Sequence, residues 1–138
     1  MATFQDIRGQ IELKVRDAYA PTPVCFDNVD ETRPADAPYV MCIISWPSTA
    51  EPVLCQGEGM VENIRGNLQI SCYAPRGKGM KPLEEMGATA MTVMNTMYDW
   101  SSTTRIKCGQ IQGPTPVLSG DDPLAVITTS CAFTAKAA

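Results

Sequence analysis

The segment from Gly66 to Ala74 alternates apolar and polar side chains without a break, and it constrains the fold of this chain more than any other feature. One side would carry Leu68, Ile70, Cys72 and Ala74, and the other Asn67, Gln69, Ser71 and Tyr73. A strict period of two is typical of a strand with one buried and one exposed face. We therefore predict that this segment is a half-buried antiparallel strand.

Two segments with helical periodicity are predicted to cover the apolar side of that strand. Apolar residues recur every three or four positions from about Phe4 to Tyr19, and again from roughly Lys81 to Trp100. The second segment has a broad apolar arc, as expected for a helix that lies flat on a sheet. In the first segment, Leu13 is interpreted as a lone exposed leucine, and Glu12 is expected to pair with Arg16 one turn later.

Four further segments read as strands, which gives the element order α-β-β-β-α-β-β. They are Val24–Asn28, Tyr39–Trp46, Arg105–Gln112 and Leu124–Thr134. The run from Tyr39 to Trp46 is so apolar that we predict a central strand covered on both faces and ended by Pro47. The predicted fold class is α+β, a mostly antiparallel β-sheet with two α-helices packed on one face, in a single domain over residues 1–138.

Composition excludes several classes of protein. The net charge of −4 argues against a dedicated nucleic-acid binder, which usually carries a basic patch on a basic domain. The sequence has no apolar run of bilayer length, and its first ten residues lack the apolar core of a signal peptide, so we expect no membrane partner. The six cysteines include no Cys-x-x-Cys pair, and we expect reduced, buried thiols.

Candidate catalytic groups are scarce. The chain has no histidine, which removes the commonest general base and the usual triads. The pairs Glu84-Glu85 and Asp121-Asp122 are adjacent, and successive residues do not face one site. Gly77-Lys78-Gly79 lacks the residue order of a phosphate-binding loop. We therefore predict a protein that is not an enzyme, with no metal and no cofactor.

Charges are segregated along the chain. Between Asp17 and Glu62 there are eight acidic residues and one basic residue, whereas Asn63 to Leu83 contains four basic residues and no acidic one. If the two segments lie on different faces, they would pair in a head-to-tail contact between identical subunits, and such contacts close into rings when the rotation allows. An accidental bias of two solvated surfaces is the alternative, and the sequence leaves both open.

Several short runs are spread along almost the whole chain. They are Asp27-Asn28-Val29, Pro38-Tyr39-Val40, Arg65-Gly66-Asn67-Leu68-Gln69-Ile70, Tyr73-Ala74-Pro75 and Gly77-Lys78-Gly79, together with the terminal strand over Thr128–Ala135. These runs resemble the tail terminator (tail completion) family of long-tailed bacteriophages, and the terminal strand fits the family's ending.

The resemblance implies a structural virion protein of the tail and neck, assembled in the host cytoplasm. Members of the family form a hexameric ring that stops tail-tube polymerisation and offers a surface for the head connector. The implied partners are further copies of the chain, the tail-tube protein, the head-completion or stopper protein, and genome DNA in transient passage through the lumen. The family has no catalytic residues to transfer.

Together, the charge pattern and the resemblance nominate two sides of a subunit contact. The basic side is Arg65, Arg76 and Lys78, and the acidic side is Asp27, Asp30, Glu31 and Asp36. The alternatives that remain open are a head-completion or stopper protein of the neck, a tail-tube subunit, a small enzyme with an unusual site, and a cytoplasmic binding module.

Overall fold

Seven elements follow the predicted order along the chain. The structure, a computed structural model, describes residues 4–27, 37–52, 62–75, 77, 79–96, 106–114 and 124–137. The elements are α1 (Phe4–Tyr19), β1 (Val24–Phe26), β2 (Tyr39–Pro52), β3 (Glu62–Pro75), α2 (Lys81–Asn95), β4 (Lys107–Gln112) and β5 (Leu124–Ala137).

The five strands form one sheet in the order β1-β2-β3-β5-β4. β2, β3, β5 and β4 pair antiparallel, whereas β1 runs parallel to β2. The α+β fold class is therefore confirmed, and the parallel edge pair is an addition that the sequence did not indicate. Chain order alone cannot reveal it, because a short strand can add to the edge of a sheet in either direction.

Both helices pack on the same face of the sheet. α1 contacts β1 and β2, α2 contacts β3, β4 and β5, and the helices also touch each other. Ile7, Ile11 and Val15 are fully buried at the spacing that the sequence predicted. At Gly87 an added Cβ would lie 3.2 Å from Cδ1 of Ile127, so the missing side chain allows α2 to sit close to the sheet.

Several expectations are corrected in detail. β2 does not end at Pro47 but continues to Pro52, with irregular pairing to β3 after Ser45. Proline is tolerated there because, among the described residues, no strand flanks β2 on its other side past Cys42. The prediction that β2 is covered on both faces is wrong, since Met41 and Ile43 are partly exposed on the helix-free face.

Two predictions on α1 can also be judged. Leu13 is 47% exposed, as expected for a lone surface leucine. The carboxylate of Glu12, however, lies 3.4 Å from the guanidinium of Arg8 one turn earlier, and Arg8 rather than Arg16 is its ion-pair partner in the structure.

Candidate self-association surfaces

The structure describes two of the seven nominated contact residues, Asp27 and Arg65. The other five lie outside the described residues, and their interface role stays a prediction: Asp30, Glu31, Asp36, Arg76 and Lys78. Asp27 follows the edge strand β1, while Arg65 lies on the central strand β3.

The Asp27 side chain is engaged within its own chain. Its carboxylate accepts a hydrogen bond from the Ile44 N–H at 3.0 Å and another from the Arg8 guanidinium at 3.1 Å. The same guanidinium donates to the Ile44 carbonyl at 3.0 Å. β1 pairs with β2 only as far as Cys42. The side chains of Asp27 and Arg8 therefore satisfy the N–H and the carbonyl of Ile44, which are the next peptide groups of β2 on that edge. Asp27 therefore has a structural role, whatever it does in an assembly.

Arg65 belongs to a cross-strand row that sequence reasoning missed. It pairs with Thr134 on β5, which in turn pairs with Lys107 on β4. All three residues are exposed, and directly opposed positions on neighbouring strands project from the same face. We call Arg65, Thr134 and Lys107 the basic row. Lys107 is more than 40 residues from Arg65 in sequence, so only the pairing through β5 reveals the row.

The basic row is far from the C-terminal end of β3. Ten residues of extended strand separate Arg65 from Pro75, a distance of roughly 33 Å.

A groove of about 600 Å³ opens beside the basic row. Arg65 and Lys107 line it together with Gly66, Cys108 and Phe133. The Phe133 ring packs directly over Gly66, where an added Cβ would lie 2.5 Å from Cζ of the ring. Trp46 meets the same ring edge-on at a centroid distance of 5.7 Å.

The helix-free face of the sheet is largely polar where its side chains are described. Tyr39 and Ser71 are buried at one end of this face. Exposure increases toward the basic row, where the exposed or partly exposed polar side chains are Ser45, Asn67, Gln69, Gln110, Gln112 and Ser130. The apolar side chains of Ile43 and Ala132 lie among these amides and hydroxyls.

From Arg65 and Thr134 of the basic row outward, the sheet continues as a three-stranded extension. It comprises residues 47–52 of β2, 62–65 of β3 and 134–137 of β5. Arg8 of α1 contacts Ile44 of β2. From that contact β2 continues for roughly 26 Å, whereas the part of α1 that precedes Arg8 is only about 6 Å long. The extension therefore projects past the start of α1.

The buried thiols are poor nucleophiles. Burial raises the pKa of Cys42 to about 12 and the pKa of Cys72 to about 11. A thiol reacts as its thiolate, so both side chains behave as core residues at neutral pH. Within the described ranges, no three or more His, Cys, Asp or Glu side chains are grouped so that they could hold a metal ion. Nor does any described helix have the length and apolar character needed to cross a membrane.

Comparison with known proteins supports the fold and leaves the family open. No protein-family model and no curated protein matches this chain. Solved structures do match it. One of them superposes with a TM-score of 0.70 at 19% sequence identity, covering 99% of this chain and 99% of that chain. At this identity the likeness shows a shared fold over the full length and nothing about activity.

Proposed function

We propose that the chain is a structural virion subunit that assembles into a hexameric ring. The ring caps the tail tube of a long-tailed bacteriophage, ends tube polymerisation and joins the tail to the head connector. The observation that carries the proposal is the run of tail-terminator-like segments on the central strands. The segment at Pro38–Val40 leads into β2, and those at Arg65–Ile70 and Tyr73–Pro75 lie on β3, which pairs with β2.

Self-association is supported by the edges of the sheet. Past Cys42 the outer side of β2 has no partner strand among the described residues, and Asp27 and Arg8 occupy the peptide groups of Ile44. Beyond Ile44 the edge of β2 can accept a neighbour's chain. The sheet extension widens the surface that a neighbouring subunit could contact. β4 forms the opposite edge of the sheet, so each subunit has two different edges to offer.

The absence of an enzymatic role is part of the same proposal. Cys42 and Cys72 stay protonated at neutral pH, and the sequence supplies no histidine to activate a nucleophile. The partners of the ring would be the tail-tube protein and a head-completion protein, with genome DNA in passage through the lumen.

Mass measurement and electron microscopy of the purified protein test the proposal. We expect a particle of six subunits with a central hole, and we expect added rings to stop elongation of polymerising tail-tube protein. A monomer at every concentration would overturn the proposal. Long tubes would instead identify a tail-tube subunit, and direct docking on a portal would identify a neck stopper protein.

A further inference from the structure

Two cysteines lie side by side at the edge of the sheet. Cys108 on β4 is directly opposed by Phe133 on β5, and Cys131 on β5 is opposed by Ile111 on β4. Directly opposed residues project from the same face, and Phe133 and Cys131 are both buried in the core on the helix-facing side. Cys108 and Cys131 are therefore diagonal neighbours on one side of two paired strands.

The two sulfur atoms are in contact. The Cys131 thiol donates a hydrogen bond to the sulfur of Cys108, and the Cys108 thiol donates to the Gly109 carbonyl at 3.3 Å. Burial raises the pKa of Cys108, whereas the hydrogen bond from Cys131 lowers it. In Cys131, burial and then the same hydrogen bond both raise the pKa. Of the two thiols, Cys108 is therefore the one that ionises first.

Only one thiol of the pair is open to solvent. Cys131 is 4% exposed, whereas Cys108 is partly exposed and lines the groove beside the basic row. The remaining cysteines of the described ranges are all buried: Cys25, Cys42 and Cys72. In the described part of the chain, Cys108 is thus the thiol that a dissolved electrophile can reach, and a second thiol lies directly behind it.

We infer that Cys108 is a site of oxidation by hydroperoxides and that Cys131 resolves the product into a disulfide. The Cys108 thiolate attacks one oxygen of the hydroperoxide, the O–O bond breaks, and the other oxygen leaves as an alcohol, or as water from hydrogen peroxide. Cys108 becomes a sulfenic acid. The Cys131 sulfur then attacks the sulfenic sulfur, so that a disulfide forms and water leaves. The two thiols lose two electrons and two protons, and the peroxide takes up both.

The disulfide would tie β4 to its neighbour. β4 is the edge strand and pairs only with β5 in the described sheet, and this pairing is irregular between Cys108 and Ile111. An irregular edge strand can adjust its backbone, as the two sulfur atoms require to move from contact to bonding distance. The bond acts within one chain, so the inference does not depend on the proposed ring.

Peptide mass spectrometry after treatment of the folded chain with hydrogen peroxide tests the inference. Trypsin releases residues 108–136 as one peptide, which contains Cys108 and Cys131 and no other cysteine. We expect this peptide to become lighter by two hydrogen atoms, faster as the pH rises, and to regain them with dithiothreitol. The bond closes a loop of roughly 20 residues, so the unfolding equilibrium constant in urea should fall on the order of 100-fold.

Two serine variants separate the roles of the thiols. In Cys131→Ser we expect Cys108 to stop at the sulfenic acid, which dimedone labels. In Cys108→Ser we expect Cys131 to stay unmodified, because it is buried. All proteins also carry Cys55→Ser, which removes a thiol outside the described residues. Circular dichroism checks that each variant is folded.

The measurement on the Cys55→Ser chain alone decides the inference if a further variant fails to fold. A peptide of residues 108–136 that stays reduced in the folded chain, or loses its hydrogen atoms only after urea is added, would overturn it. Oxidation of Cys108 to a sulfinic acid with no bond to Cys131 would overturn it too. So would modification of Cys131 in Cys108→Ser.

Discussion

Thr129 is a polar residue without a polar partner. It is fully buried on the helix-facing side of β5, and in the described part of the structure its hydroxyl makes no hydrogen bond. Burying an unsatisfied hydroxyl costs free energy, and valine has nearly the same shape without the oxygen. We expect Thr129→Val to raise the free energy of unfolding by about 1 kcal/mol, measured by urea denaturation.

The neighbouring position supplies the control for this prediction. The Thr128 hydroxyl lies 3.2 Å from that of Ser71 across the β3–β5 pair. Thr128→Val removes a partner and should give no stabilisation. If both valine variants changed stability equally, the intrinsic strand preference of valine, rather than the orphaned hydroxyl, would be the cause.

Gly66 is fixed by the ring that lies on it. An added Cβ would lie 2.5 Å from Cζ of Phe133, and the Trp46 ring packs against that same phenyl group. We expect Gly66→Ala to lower the free energy of unfolding by about 1–3 kcal/mol, as overpacking of a core does. Gly9, where no atom lies within 4 Å of an added Cβ, is the matched control. Gly9→Ala should stabilise α1 slightly.

At the scale of the elements, Asp27 shows how β1 is ended. Its carboxylate and the Arg8 guanidinium together satisfy both peptide groups of Ile44. Asp27→Ala would leave the Ile44 N–H without its acceptor and would remove one of the three acceptors of the Arg8 guanidinium, which keeps Glu12 and the Ile44 carbonyl. We expect a loss of about 1–2 kcal/mol in the free energy of unfolding, less than for a deeply buried pair because both side chains are more than a quarter exposed.

Asp27→Asn separates the structural role of this residue from an interface role. The amide oxygen can still accept from the Ile44 N–H, so stability should fall less than in Asp27→Ala. A carboxylate needed only at a subunit contact would give a different result. Assembly would then weaken in both variants by the same factor, while the unfolding curve at a concentration without assembly stayed unchanged.

The elements differ in how far the sequence predicted them. The alternation in β3 and the stripe of Ile7, Ile11 and Val15 are local patterns, and both are confirmed. The parallel pairing of β1 and the length of β2 past Pro47 depend on which strands become neighbours, which no local pattern encodes. The basic row could not be predicted for the same reason, because Arg65 and Lys107 are brought near each other only by pairing with β5.

At the scale of the whole molecule, the stability of the fold is expected to depend on pH in the alkaline range, because thiol and phenol groups that can lose a proton are buried. Burial raises the pKa of the Cys72 thiol from 9.0 to about 11 and that of Cys42 to about 12. Burial also raises the pKa of Tyr19, whose hydroxyl donates to the Met86 carbonyl at 2.6 Å. These groups lie between the helices and the sheet, so their ionisation opposes the packing of the two layers.

The sign of the effect follows from where each state loses its proton. Below about pH 9 both thiols are protonated in the folded and the unfolded chain, and they contribute no pH dependence. Above that pH the unfolded chain ionises first and binds fewer protons than the folded chain. Stability is therefore expected to fall by about 1.4 kcal/mol per pH unit for each thiol. The fall from a given thiol levels off once that thiol also ionises in the folded state, near pH 11 for Cys72 and near pH 12 for Cys42.

Urea denaturation from pH 8 to pH 10.5, with reductant present, measures that slope. Cys72→Ala and Cys42→Ala each remove one thiol and should each make the slope shallower by about 1.4 kcal/mol per pH unit. The cavity that alanine leaves lowers stability at every pH, so slopes rather than midpoints are compared. An unchanged slope in both variants would show that these thiols ionise as readily in the folded chain as in the unfolded one, which contradicts their burial beneath the helices.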